Sequence, residues 1–121
     1  MALKTLGFVS VVHLNGHYQK HGSNFGCADE NQYEAMADEF LGGPKQSSVL
    51  ECVRGRGDLC RFDMLTEAYG ILSAKGEIRT FYKPIPCASV PIINRAGIES
   101  AGLCHPNATN LLYFKAECAR W

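Results

Sequence analysis

Two histidines and a lysine fall within the five residues His17-Tyr18-Gln19-Lys20-His21. In a helix, His17 and His21 stand four apart on one face, with Lys20 beside them. Imidazole exchanges protons near neutral pH, and the lysine adds a fixed positive charge to the same turn. A second group lies in Gly76-Glu77-Ile78-Arg79-Thr80-Phe81-Tyr82-Lys83-Pro84. On a strand, Thr80 and Tyr82 would share a face with Ile78, and Arg79, Phe81 and Lys83 would share the other. A histidine, a cation and a hydroxyl are what phosphodiester chemistry needs. The histidine moves a proton, the cation neutralises charge on the phosphorane, and the hydroxyl donates to a phosphate oxygen.

Other chemistries compete for these residues. Histidines at helical spacing also occur on solvated faces and in metal pairs. His17 and His21 could join Cys104 and His105 in a zinc site. The chain lacks the His-Glu-x-x-His of a metalloprotease. Pro86-Cys87 opens a deaminase-like motif, but Ala88-Ser89-Val90 follows and the second cysteine is missing. There are six cysteines, Cys27, Cys52, Cys60, Cys87, Cys104 and Cys118, and none forms a Cys-x-x-Cys pair. No local signature supports a cysteine peptidase. The segment 6–14 is apolar, but Ser10 and His13 interrupt it and no small-residue cleavage site follows, so no secretory signal is expected. It is also too short to span a membrane. The thiols are therefore expected to be mostly buried and reduced.

Positioning these groups falls to one domain, residues 1–121. The chain is 46% hydrophobic and 20% charged, which argues against disorder. Lysine plus arginine equal aspartate plus glutamate at 12 each, so nucleic-acid binding would need a local basic patch. The charge is segregated. Residues 29–39 hold five acidic residues and no basic ones, while residues 44–83 hold seven basic and five acidic.

Residues 3–14 read equally as a strand or an apolar helix, broken by Asn15-Gly16. His17 to His21 is expected as a short helical turn stopped by Gly22. Residues 29–41 are the clearest helix, capped by Asp29, with Tyr33, Met36, Ala37, Phe40 and Leu41 on the apolar face and the acidic residues on a solvated one. That acidic face would also suit a non-enzymatic binding module or adaptor. Residues 49–54 and 58–63 read as a hairpin around Gly55-Arg56-Gly57, with Arg54 opposite Asp58 and Cys52 opposite Cys60. Residues 66–74 and 77–83 form a second hairpin turning at Lys75-Gly76. Residues 84–107 hold four of the five prolines and read as a long loop with a short strand at 90–93. Residues 110–120 carry Leu111, Leu112, Phe114 and Cys118 toward Trp121, a closing helix.

The order of motifs is His-x-x-Lys-His-Gly, an amphipathic helix, Arg-x-x-x-Asp-x-x-Arg-Phe-Asp, Thr-x-x-x-Gly-Ile and Gly-Glu-Ile-Arg-Thr-Phe-Tyr-Lys-Pro. Over residues 17–84 this resembles the C-terminal toxin domains of bacterial polymorphic toxins, in the barnase/EndoU/colicin/RelE-like ribonuclease group of contact-dependent inhibition systems. The resemblance implies an α+β fold, with N-terminal helices packed on a twisted antiparallel sheet. It implies cofactor-free and metal-independent cleavage of RNA, often tRNA, and a cognate immunity protein. It also implies delivery from a producing bacterium into the cytoplasm of a target cell. By position, His17, Lys20 and His21 match the basic helix, and Arg79 and Thr80 the catalytic pair of the last strand. Arg61, Tyr82 and Lys83 stand as substrate-binding candidates. The histidine turn should then lie against the sheet near Thr80, its His17/His21 face inward.

Overall fold

In the computed structural model, which describes residues 3–120, the ambiguous N-terminal run divides at Ser10. The Ser10 side chain accepts a hydrogen bond from the His13 backbone N–H and caps helix α1, Val11–His21. Asn15 and Gly16 lie inside that helix and do not end it. Gly22 passes the chain into a 3-10 turn, Gly22–Phe25, which stops at Gly26 with φ +65°. A Cβ on Gly22 would stand 2.5 Å from the Tyr18 ring, so glycine is required where the chain crosses it.

Helix α2, Glu30–Gly42, is capped by Asp29, which accepts from the Gln32 N–H. Tyr33, Ala37 and Leu41 line its buried stripe. Its acidic side is not simply solvated. Asp38 is 5% exposed and accepts from the Lys4 N–H, the Thr5 N–H and the Thr5 hydroxyl. Burial alone would raise its pKa, but these hydrogen bonds hold it below the ordinary carboxylate value. Glu34 accepts from the Phe8 N–H. The two carboxylates thus tie residues 3–8 to α2.

Four antiparallel strands follow in sequence order: β1 Val49–Val53, β2 Leu59–Asp63, β3 Tyr69–Leu72 and β4 Ile78–Tyr82. The first hairpin has the expected register, with Cys52 opposite Cys60. Gly76 turns the β3–β4 hairpin at φ +93°. Its ladder slips once: Ile71 pairs with Thr80 but Leu72 pairs with Ile78, so Arg79 is the extra residue of a bulge. The bulge breaks the simple alternation. Ile78 joins Phe81 in the core under α1 and α2 and does not share the face of Thr80 and Tyr82.

One face of the sheet carries Ala68, Ile78 and Phe81 against Phe8, Leu14, Tyr33, Ala37 and Leu41. Burying each large side chain there contributes about 1.5–3 kcal/mol. At Gly70 a Cβ would lie 3.1 Å from a Leu41 methyl, so glycine lets α2 approach β3 closely. The other face carries Cys60, Phe62, Tyr69 and Ile71 against Phe114 of α4, Asn110–Cys118. Trp121, expected at the end of that helix, lies outside the described residues.

Two further expectations are corrected. Residues 84–107 contain a helix, α3 Ile92–Ser100, where a loop and short strand were expected. Pro91 favours a helix start just after it, and the Arg95 guanidinium donates to the Val90 and Ala88 carbonyls around that start. Four cysteines are paired and not reduced: Cys52 with Cys118 and Cys87 with Cys104, leaving Cys27 and Cys60 as thiols. Cys52 and Cys60 are cross-strand neighbours as expected. The docking of α4 on their face, however, brings the Cys118 Cα to 6.0 Å from that of Cys52. Among the described residues, no helix is long and apolar enough to cross a membrane.

Candidate active site

Helix α1 runs beside β4, and the two advance together. At one end, His13 and Arg79 line the same cavity of about 340 Å³, with Val9, Ser73, Glu77 and Ile78. At the other end, the His21 ring stacks on Tyr82 with centroids 5.0 Å apart. Eight residues of helix separate His13 from His21, ~12 Å of rise. Three residues of strand separate Arg79 from Tyr82, ~10 Å. His17 lies between its two helical neighbours, as Thr80 lies between Arg79 and Tyr82. His17 and His21 centroids are 6.1 Å apart, and Phe8 supports the His17 ring at 5.3 Å.

His13 escaped the sequence reading. It stands four residues before His17 on the same stripe, but in the sequence it lies within the apolar run 3–14, on the far side of Asn15-Gly16. Ser10 fixes its ring. The serine oxygen accepts from the His13 backbone N–H, and its hydroxyl lies 2.9 Å from His13 Nδ1. Whichever of the two atoms donates, the contact orients the ring.

The environment keeps the inner histidines neutral at pH 7. Burial is the main cause for His17, helped by His13 and Lys20, and its pKa falls below the usual histidine value. Burial, then His17 and Lys20, take His21 down to about 4. A neutral imidazole offers a lone pair and so acts as a base. His17 Nδ1 is buried without a hydrogen-bond partner, an arrangement that costs ~1–3 kcal/mol. Lys20 is exposed on the last turn of α1 and makes no ion pair among the described residues. Burial raises the Tyr82 pKa strongly, and its hydroxyl shares a hydrogen bond with Tyr113 of α4, so it is a neutral phenol. The Thr80 side chain is half-buried and makes no hydrogen bond among the described residues, which leaves its hydroxyl for a ligand.

Arg79 is held in place from below. Asp58, 3% exposed, takes the Arg79 guanidinium at 3.4 Å and the buried Arg54 at 3.1 Å. Arg54 in turn lies 4.0 Å from Glu117 of α4. The expected Arg54–Asp58 pairing is thus present, and it anchors a cation whose side chain is still 48% exposed. The bulge at Arg79 releases it from strict alternation and aims it at Asp58.

Two candidates fall elsewhere. Arg61 donates to the Phe40 and Gly43 carbonyls and pairs with Glu51. It caps the C-terminus of α2, two strands (~10 Å) from β4. Lys83 places its ammonium 5.5 Å over the Phe25 ring, in a second and larger cavity. The zinc set is not assembled, because Cys104 is bonded to Cys87 and His105 gives its Nε2 to Asn110. Among the described residues no three His, Cys, Asp or Glu side chains are placed to hold a metal ion.

No family model matches the chain, and no curated protein matches it. Among solved structures, a ribonuclease from Escherichia coli complexed with its inhibitor protein aligns at 23% identity and a TM-score of 0.44. The alignment covers 71% of this chain and 95% of that one.

Proposed function

We propose that the chain is a metal-independent endoribonuclease, the toxin domain of a bacterial polymorphic toxin delivered into a target-cell cytoplasm. The observation that carries the reading is that α1 and β4 run side by side, His13 and Arg79 lining one cavity at one end and His21 stacking on Tyr82 at the other, with His17 and Thr80 between them along the two elements. An RNA phosphate between α1 and β4 meets the neutral His17 and His21, a hydroxyl and an anchored guanidinium. A histidine takes the proton of the ribose 2′-hydroxyl as its oxygen attacks phosphorus. The bond from phosphorus to the 5′-oxygen breaks, and that oxygen takes a proton from the imidazolium, the charge state a bound phosphate favours. The products are a 2′,3′-cyclic phosphate and a 5′-hydroxyl. Arg79, Lys20 and Thr80 stabilise the charge on the phosphorane.

The motif order across residues 17–84 supports the toxin role, and tRNA is the RNA class to test first. The cognate immunity protein would cover a cleft bearing Arg79 and Lys20, so its contacting surface should be acidic. The test is expression in a bacterium, with total RNA inspected for cyclic-phosphate ends. Wild type arrests growth and leaves such ends, whereas His17→Ala, His21→Ala and Thr80→Val each lower RNA cleavage at least ~100-fold. Intact RNA in wild-type cells, or full toxicity in all three variants, refutes the reading.

A further inference from the structure

A cavity of about 490 Å³ lies on the α2 side of the sheet and is not used by the chemistry above. Its walls continue the two elements that carry the His21–Tyr82 stack. From His21 the chain passes through the 3-10 turn to Phe25, and from Tyr82 it passes directly to Lys83. Phe25 stacks on Phe81 at 4.1 Å, with the planes 9° apart, and Phe40 lies 5.5 Å from Phe81. Met36 completes the apolar wall at the mouth, where it is 37% exposed.

The polar rim is electrostatically biased. Glu39 is engaged by Lys4, and Asp63 accepts from the Leu65 and Thr66 N–H groups. Lys45 and Lys83 have no carboxylate partner among the described residues. The Lys45 ammonium rests on the Val49 carbonyl, and that of Lys83 on the Phe25 ring. The two acids are thus used internally while two cations face the cavity. Aromatic walls with unpaired cations at the mouth suit a single-stranded nucleic acid, in which bases stack and phosphates meet lysine.

We propose that this cavity is a base-binding subsite for the RNA strand beyond the scissile phosphate, with Lys83 on the linking phosphate. The proposal rests on the ribonuclease reading and deepens it. A strand leaving the His21–Tyr82 end of the cleft passes Lys83 and places a base against Phe25 and Phe40. The site selects single-stranded substrate, because a base inside a duplex cannot enter it.

Two measurements test this and separate it from the catalytic reading. The first is binding of an uncleavable all-2′-deoxy tetranucleotide to wild type and to Met36→Glu, a substitution at the exposed mouth. Wild type binds, and the carboxylate weakens binding about 10-fold or more, within the range of one stacked base. Equal binding by both proteins, or none by wild type, overturns the subsite. The second is the ratio of kcat/KM for a ribotetranucleotide to that for the ribodinucleotide it contains. The ratio exceeds ~10 in wild type and falls toward one in Met36→Glu. A ratio near one in wild type also overturns the subsite. Binding that is sensitive to Met36→Glu, with no cleavage of either substrate, retains the subsite and sinks the ribonuclease reading. Circular dichroism of Met36→Glu matching wild type excludes misfolding as the cause.

Discussion

The disulfide between Cys52 and Cys118 joins β1 to the last residue of α4 across a separation of 66 residues. The bond between Cys87 and Cys104 spans 17. If a disulfide acts by restricting the unfolded chain, its contribution rises with the logarithm of the loop it closes. The longer loop then stabilises by ~4.4 kcal/mol and the shorter by ~3.1 kcal/mol at room temperature. Urea unfolding of Cys52→Ala/Cys118→Ala and Cys87→Ala/Cys104→Ala, each against wild type, reads both values directly. The expected loss is larger for the first pair, by ~1.2 kcal/mol from loop length alone. The two native bonds sit in different surroundings, so order matters more than absolute size. A smaller loss for the 66-residue pair than for the 17-residue pair would refute the loop-closure account. It would mean that α4 is held by Phe114 in the core and by the Tyr113–Tyr82 hydrogen bond, with the covalent link contributing little.

The pH profile offers an independent check. His21 is lowered to about 4 and His17 is also lowered, so the acid limb of kcat/KM should fall below the ordinary histidine value of 6.5. A bound phosphate favours the imidazolium, so the limb of kcat should lie at higher pH than that of kcat/KM. A kcat/KM limb at or above ~6.5 contradicts the neutral-base assignment. The same shift affects stability with a definite sign. The unfolded chain binds the His21 proton more tightly than the folded one, so stability is full above the unfolded value of 6.5. It declines as pH falls from there toward about 4, which melting temperatures across that window will show. At Arg61, substitution to Met should cost ~1–3 kcal/mol in stability through the lost cap of α2, with kcat/KM changed less than ~3-fold. Arg79→Met should lower kcat/KM by ~100-fold or more. Equal kinetic losses at the two positions would return Arg61 to the site.

Much of the sheet was legible because its signals are local. Gly55-Arg56-Gly57 fixes the first hairpin, and Cys52 meets Cys60 in the expected register. Gly76 turns the second, and Asp29 starts α2 where a capping side chain was expected. What stayed hidden depends on tertiary contact. Asn15-Gly16 reads as a break, yet the Ser10 cap and the burial of Leu14 carry α1 through it, and that continuity aligns His13 with His17. The bulge at Arg79 leaves no local mark, so Ile78 was placed on the wrong face. Arg61 has the chemistry of a phosphate ligand but finds the α2 carbonyls first. The disulfides depend on where α4 docks, which cysteine spacing does not encode.

The N-terminal segment has one more effect. The Leu6 N–H donates to the Gly76 carbonyl, the Ile78 N–H donates to Gly7, and Phe8 bridges to Ile78. These contacts occupy the outer side of β4 at its first residue, shortening the edge open to intermolecular strand pairing and aggregation. Beyond the sheet's other margin, at β1, Lys45 donates to the Val49 carbonyl. A strand arriving from a second copy or a partner therefore finds the start of the β4 margin taken, whereas β1 lies on the side of the sheet away from the histidine stripe.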